Sequence, residues 1–173
     1  IMGILHGTIV DTATGEKLDA KVHVLNAMGN FAQPRDALLK RGPGTPFFFS
    51  DGEFEISGSR GRTDVIVERG TEYEPYRTTI ELPEHGHVDI ELPLKRWYRP
   101  QEQNWYPGNT HIHYDEKETQ PDRRLGIDCS VEGYNVTCVS VLDRRQLPYA
   151  SNKYPIGVMN EFKTAHHVLD IGE

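Results

Sequence analysis

Two histidines, His111 and His113, stand two residues apart at the end of a short run with strand character. In an extended strand residues i and i+2 project to one face, so both imidazoles can reach the same point. Imidazole nitrogen suits zinc and, alongside carboxylates, manganese. A carboxylate for such a site is offered by Glu161, in the run Asn160-Glu161-Phe162, where a later strand is expected to end. A glutamate there could bridge two cations about 4 Å apart. Asp143 is a second carboxylate candidate, at the end of the strand expected over residues 136–142. His166 and His167 follow Glu161 at an expected helix start, and one of them could face the same spot. Arg144 and Arg145 could neutralise Asp143 or hold an anionic substrate. The chemistry this set would support is hydrolysis of a small-molecule substrate. A divalent ion, zinc or manganese, would lower the pKa of a bound water toward about 7 and polarise an ester-like oxygen. A second pair at the same spacing, His85-Gly86-His87, sits in a turn after Pro83 and reads as an exposed loop.

The elements that must position these residues change character along the chain. Through residues 1–93 apolar and polar residues alternate with period two in short runs. Val22 and Val24 alternate with Lys21 and His23, Phe54 and Ile56 with Glu53 and Glu55, and Val88, Ile90 and Leu92 with Asp89 and Glu91. Between the runs lie turn formers: residues 11–15 (Asp-Thr-Ala-Thr-Gly) bond their own backbone or allow positive φ, and Asp51-Gly52 is a strong hairpin signal. This pattern predicts an antiparallel β-sandwich. Residues 31–46 hold three prolines and two glycines and interrupt it as a long excursion. Residues 94–107 form a linker rich in proline and aromatics, whose Trp97, Tyr98, Trp105 and Tyr106 are expected to pack two domains together. From residue 108 the order becomes strand (109–113), helix (121–133, ended by Gly133) and strand (136–142), the signature of a parallel sheet or barrel.

Composition sets the remaining bounds. Of 173 residues, 36% are hydrophobic, 26% are charged, 16 are Gly and 11 are Pro, which suits a loop-rich β or mixed fold. A net charge of −7 with scattered basic residues argues against a nucleic-acid partner, because phosphate neutralisation needs a basic face. No apolar run approaches the roughly 20 residues of a membrane span. The compartment is left open, an extracytoplasmic one included, and no signal-peptide pattern opens this chain. Cys129 and Cys138 are too few for a disulfide framework and read as two small buried thiols, with a Cys129–Cys138 disulfide as the alternative.

Residues 108–113, Gly-Asn-Thr-His-Ile-His, resemble the opening metal-binding motif of PHP (polymerase and histidinol phosphatase) hydrolases. Residues 132–136, Glu-Gly-Tyr-Asn-Val, look like the second strand of that family, and Asn160-Glu161-Phe162 looks like its third element. With a sandwich in front, the carbaryl-hydrolase-like branch is the most similar. Residues 1–93 separately resemble the carboxypeptidase-regulatory-like or transthyretin-like sandwich, through residues 7–11 with Thr14-Gly15 and through residues 51–54. The resemblance implies a TIM-related α/β barrel, phosphoester or carbamate substrates, and further ligands beyond residue 173. Such barrels take about 200 residues or more, so residues 108–173 would be the first βα units of an incomplete one. Its unpaired edge would invite self-association. One departure is Leu142-Asp143-Arg144, where the family carries Thr-Asp-His. That departure favours a rival reading, a non-catalytic β-sandwich binding or spacer module followed by a degenerate remnant.

Overall fold

The computed structural model describes residues 2–40, 44–113, 121–140 and 153–172. The protein is mainly β with several sheets, and it divides into two units, Ile1–Tyr98 and Arg99–Glu173.

Among the described residues the first unit is built from ten strands: β1 (Gly3–Asp11), β2 (Ala20–Leu25), β3 (Phe31–Ala32), β4 (Leu38–Lys40), β5 (Phe47–Ser50), β6 (Glu53–Gly58), β7 (Gly61–Glu68), β8 (Tyr73–Glu74), β9 (Tyr76–Leu82) and β10 (His87–Arg96). They form two sheets, one ordered β6-β1-β10-β8 and the other β4-β5-β2-β7-β9, with β3 added to β2. Period-two patterning does what the physics requires. Every second residue of β1 is buried, Leu5 and Ile9 among them, as are Ala20, Val22 and Val24 in β2. These meet Phe48, Val65, Val67, Leu92 and Leu94 in one continuous core between the sheets.

Two expectations are corrected here. The pairing is not wholly antiparallel: β1 and β10, the first and last strands, run parallel from Ile4↔His87 to Asp11↔Leu94. Alternation reports which face is buried but not which way a strand runs, so the sequence held no signal for this. Nor does Asp51-Gly52 close a hairpin. β5 pairs with β2 and β4 in one sheet, while β6 pairs with β1 in the other. The turn is therefore a corner between sheets. Gly52, at φ 116°, donates its N–H to the Ser50 hydroxyl, and that hydroxyl donates to the Glu53 carbonyl. The expected excursion over residues 31–46 contains two short strands, β3 and β4.

The turn after β1 forms as its residue types dictate. The Asp11 carboxylate accepts the N–H groups of Ala13 at 2.7 Å and Thr14 at 3.2 Å, and also the Tyr73 hydroxyl at 3.0 Å. The Tyr73 ring carries the guanidinium of Arg69 at 5.8 Å and of Arg96 at 5.6 Å from its centroid. Arg69 is paired with Asp19 and Arg96 with Glu72. Burial, with the Asp11 carboxylate beside it, raises the Tyr73 phenol above its ordinary value.

The second unit contains β11 (Gly108–Ile112), helix α1 (Pro121–Val131), β12 (Val136–Val139), β13 (Gly157–Val158) and β14 (Val168–Ile171). The proline opening α1 occupies a position where its missing N–H costs nothing. Gly133, at φ 76°, ends the helix, and the Tyr134 N–H reaches back to the Cys129 carbonyl. The sheet order is β11-β12-β14-β13. The first three strands are parallel, and β13 is antiparallel to β14. Leu125 and Cys129 of α1 pack on Val139, Leu169 and Ile171. Among the described residues this is an open four-stranded sheet, and no TIM-like barrel is formed. Cys129 and Cys138 are both free thiols, the first buried and the second partly so. No helix among the described residues is long and apolar enough to cross a membrane.

Candidate functional site

His111 lies near the end of β11 and His113 one residue past it. The ladder between β11 and β12 shifts register between Asn109 and Ile112, and the Asn109 side-chain oxygen accepts the His111 N–H at 3.0 Å. Both imidazoles are exposed and lie together, with their Nε2 atoms 2.8 Å apart and their rings edge to face at 4.5 Å. At that distance one Nε2–H donates to the other Nε2.

Glu161 occupies a different kind of position from the one expected. Residues 160–162 form a single 3-10 turn after β13, and the carboxylate is exposed there. It lines a shallow cleft of about 520 Å³ with Arg123, Lys153, Tyr154 and Phe162. The ring of Phe162 meets that of Tyr154 edge-on at 6.1 Å. Arg123 and Lys153 place two cations on the wall of the same cleft. Nothing in their sequence neighbourhoods marked them, because one lies on α1 and the other ahead of β13, neither at a spacing that local structure ties to Glu161.

His166 and His167 do not start a helix. Residues 164–167 make a turn in which the Thr164 hydroxyl accepts the His166 N–H and the Thr164 N–H donates to the His167 carbonyl. The turn leads into β14, the third parallel strand. His166 is exposed, whereas His167 is buried, with its Nε2 3.2 Å from the hydroxyl of the fully buried Thr137. The β-branched, alternating run Val168-Leu169-Asp170-Ile171 outweighs the helix-compatible residues before it. Asp143, Arg144 and Arg145 lie outside the described residues.

Among the described residues no group of three or more His, Cys, Asp or Glu side chains is placed to hold a metal ion. A zinc held by protein needs three or four such ligands. Residues 114–120, which follow the pair directly, lie outside the described residues. Trp97 and Tyr98 stack at 5.5 Å in the first unit, and these two, like Trp105 and Tyr106, are exposed.

No family model matches this chain, and no curated protein matches it. Solved structures similar to it include the minor pilin GBS52 of Streptococcus agalactiae, with TM-score 0.41 and 16% identity, covering 57% of this chain and 46% of that one. The major pilin subunit of Bacillus cereus matches with TM-score 0.40 and 15% identity, covering 55% of this chain and 30% of that one. The pilus 2b backbone protein of group B streptococcus matches with TM-score 0.40 and 15% identity, covering 55% and 41%. The chain thus spans less than half the length of each of these structures. These findings correct the resemblances drawn from the motifs. No family model and no curated protein answers to either the PHP or the carboxypeptidase-regulatory-like motif, and the three solved structures named above are pilins. The PHP assignment is withdrawn, and with it the description as a zinc- or manganese-binding hydrolase. Short motifs misled here because three fragments of three to six residues, each common by itself, happened to occur in the expected order.

Proposed function

We propose that the first unit serves as a non-catalytic spacer that carries tension between the chain segments joined to its two ends. The observation that supports this is the parallel pairing of β1 with β10. In a parallel pair both strands run the same way, so the chain enters the sandwich at one end of this ladder and leaves it at the other. At about 3.3 Å per residue the ladder separates entry and exit by roughly 25 Å. Tension applied to the two ends acts along the strands. All eight paired positions, from Ile4↔His87 to Asp11↔Leu94, then resist together in shear. If the two strands were antiparallel, the same tension would peel the pairs apart one at a time.

The test is single-molecule extension of the whole chain with handles attached near residues 2 and 98, compared with handles near residues 2 and 87. The second pair of sites lies at one end of the ladder and loads it as a zipper. The expected result is a substantially higher unfolding force for the first geometry. Equal forces in the two geometries would overturn the tension-bearing role. Robust turnover of a generic phosphodiester by the purified chain would overturn the non-catalytic part.

A further inference from the structure

β9 is an edge strand. It pairs with β7 over its whole length, from Gly61↔Leu82 to Val67↔Tyr76, and it ends its sheet with its other side unpaired among the described residues. Exposed edges are templates for another strand, and proteins normally blunt them with a lysine, a proline, a bulge, a short length or repelling charge. The other edges show such devices. β4 has three residues, and β6 presents Glu53 and Glu55. β10 carries Pro93 with Asp89 and Glu91, and β8 covers its end at Lys95 and Arg96. β9 has seven residues with no lysine, no interior proline and an unbroken register.

The sequence of β9 is also complementary to itself. Thr79 is its midpoint. If a second β9 lies antiparallel about Thr79, each residue i faces residue 158 − i of the copy. Thr79 then meets Thr79, Thr78 meets Ile80, Tyr76 meets Leu82, and Arg77 meets Glu81. Pro75 and Pro83, which lack the N–H that a ladder needs, bound the strand symmetrically. The faces agree as well. Arg77, Thr79 and Glu81 are the exposed residues, while Tyr76, Thr78, Ile80 and Leu82 point toward the core side. Cross-strand partners must share a face, and all of these do. Within one chain Arg77 and Glu81 are four strand residues, about 13 Å, apart and cannot pair with each other. Neither has an ion-pair partner among the described residues. Arg62, which stands opposite Glu81 in β7, gives its Nε–H to Asp64.

We infer that two copies of this chain associate through β9, antiparallel about Thr79, so that the six-stranded sheet continues across a two-fold axis and two reciprocal Arg77–Glu81 pairs close the contact. The inference does not depend on the spacer reading. A single-strand contact is small, so association belongs to the weak class and is sought at concentrations on the order of 100 µM.

The test is sedimentation of the full chain and four variants, with circular dichroism to verify the fold. Arg77→Glu and Glu81→Arg each place like charges opposite one another twice, and should each weaken the dimer on the order of tenfold. The double exchange, Arg77→Glu with Glu81→Arg, restores both pairs and should restore the dimer. Thr79→Cys should form a disulfide-linked dimer under mild oxidation, because facing strand positions bring Cα atoms within disulfide range. The parent chain, with Cys129 and Cys138, is the control for that step. A monomeric parent chain at these concentrations overturns the inference. So does a dimer indifferent to the single charge reversals, failure of the double exchange to restore association in folded protein, or absence of a cross-link in the Thr79→Cys variant.

Discussion

Replacing Gly7 with alanine tests the packing logic of the first unit, because two physical effects predict opposite signs. In a strand interior glycine is worse than alanine by roughly 0.5–1 kcal/mol, since it loses more conformational freedom on folding. On that ground alone Gly7→Ala should stabilise. The structure predicts the reverse. Gly7 faces Phe54 directly across the β1–β6 ladder, and the phenyl ring lies over the glycine. A Cβ at residue 7 would stand 2.4 Å from Phe54 Cζ and 2.6 Å from Cε1. Carbon atoms in contact prefer about 3.5–4.0 Å, so the ring would have to move by a little over about 1 Å. It has little room, because it packs edge-on against Phe48 at 5.3 Å, and Phe48 is fully buried. Forced overpacking of this kind costs about 1–3 kcal/mol. Set against the roughly 0.5–1 kcal/mol gain, this leaves a net destabilisation of about 1 kcal/mol, an appreciable share of the roughly 5–15 kcal/mol that hold such a unit folded. The melting temperature should fall by about 4–8 °C. The assay is urea unfolding followed by Trp97 fluorescence in a Trp105→Phe background, since Trp105 belongs to the other unit and is exposed. Phe54→Leu alone should destabilise by opening space, yet in the Gly7→Ala background it should be nearly free, giving a coupling of at least about 1 kcal/mol. A neutral or stabilising Gly7→Ala, or strict additivity of the two substitutions, would refute the reasoning.

Two further outcomes concern the cluster around Tyr73. Arg96→Ala removes the guanidinium whose Nε–H the buried Glu72 carboxylate accepts at 2.9 Å, and should cost about 3 kcal/mol by breaking a buried ion pair; an unchanged urea midpoint would show the pair to be dispensable. Tyr73 is held neutral by burial and by Asp11, so its folded pKa lies above its unfolded value. The unfolded chain therefore loses this proton first, and the contribution is fully present below about pH 10 and lost as pH rises through the folded value. Tyr73→Phe should accordingly be less stable than the parent at pH 7, by about 1 kcal/mol for the lost hydrogen bond to Asp11, and the gap should narrow as pH climbs past about 10. A gap that widens would contradict the sign.

Much of the local structure in both units is determined by local sequence. Period-two burial in β1, β2, β6, β7 and β10, the Asp11 turn and the end of α1 at Gly133 all arise from side-chain alternation and backbone preference, which act over a few residues. The near meeting of His111 and His113 is equally local, since two residues on one strand suffice to produce it. What the sequence did not determine are relations between distant segments. The parallel direction of β10 beside β1, the role of Asp51-Gly52 as a corner between sheets, and the place of residues 168–171 in the sheet of the second unit depend on which strand finds which edge. That choice is made by burial of whole faces, and alternation is identical for a strand in either sheet and in either direction. The same holds for Glu161. Its local run suggested a strand end, but tertiary packing placed it on a 3-10 turn, in a cleft that Arg123 and Lys153 also line, and only the folded chain could put those residues on one cleft.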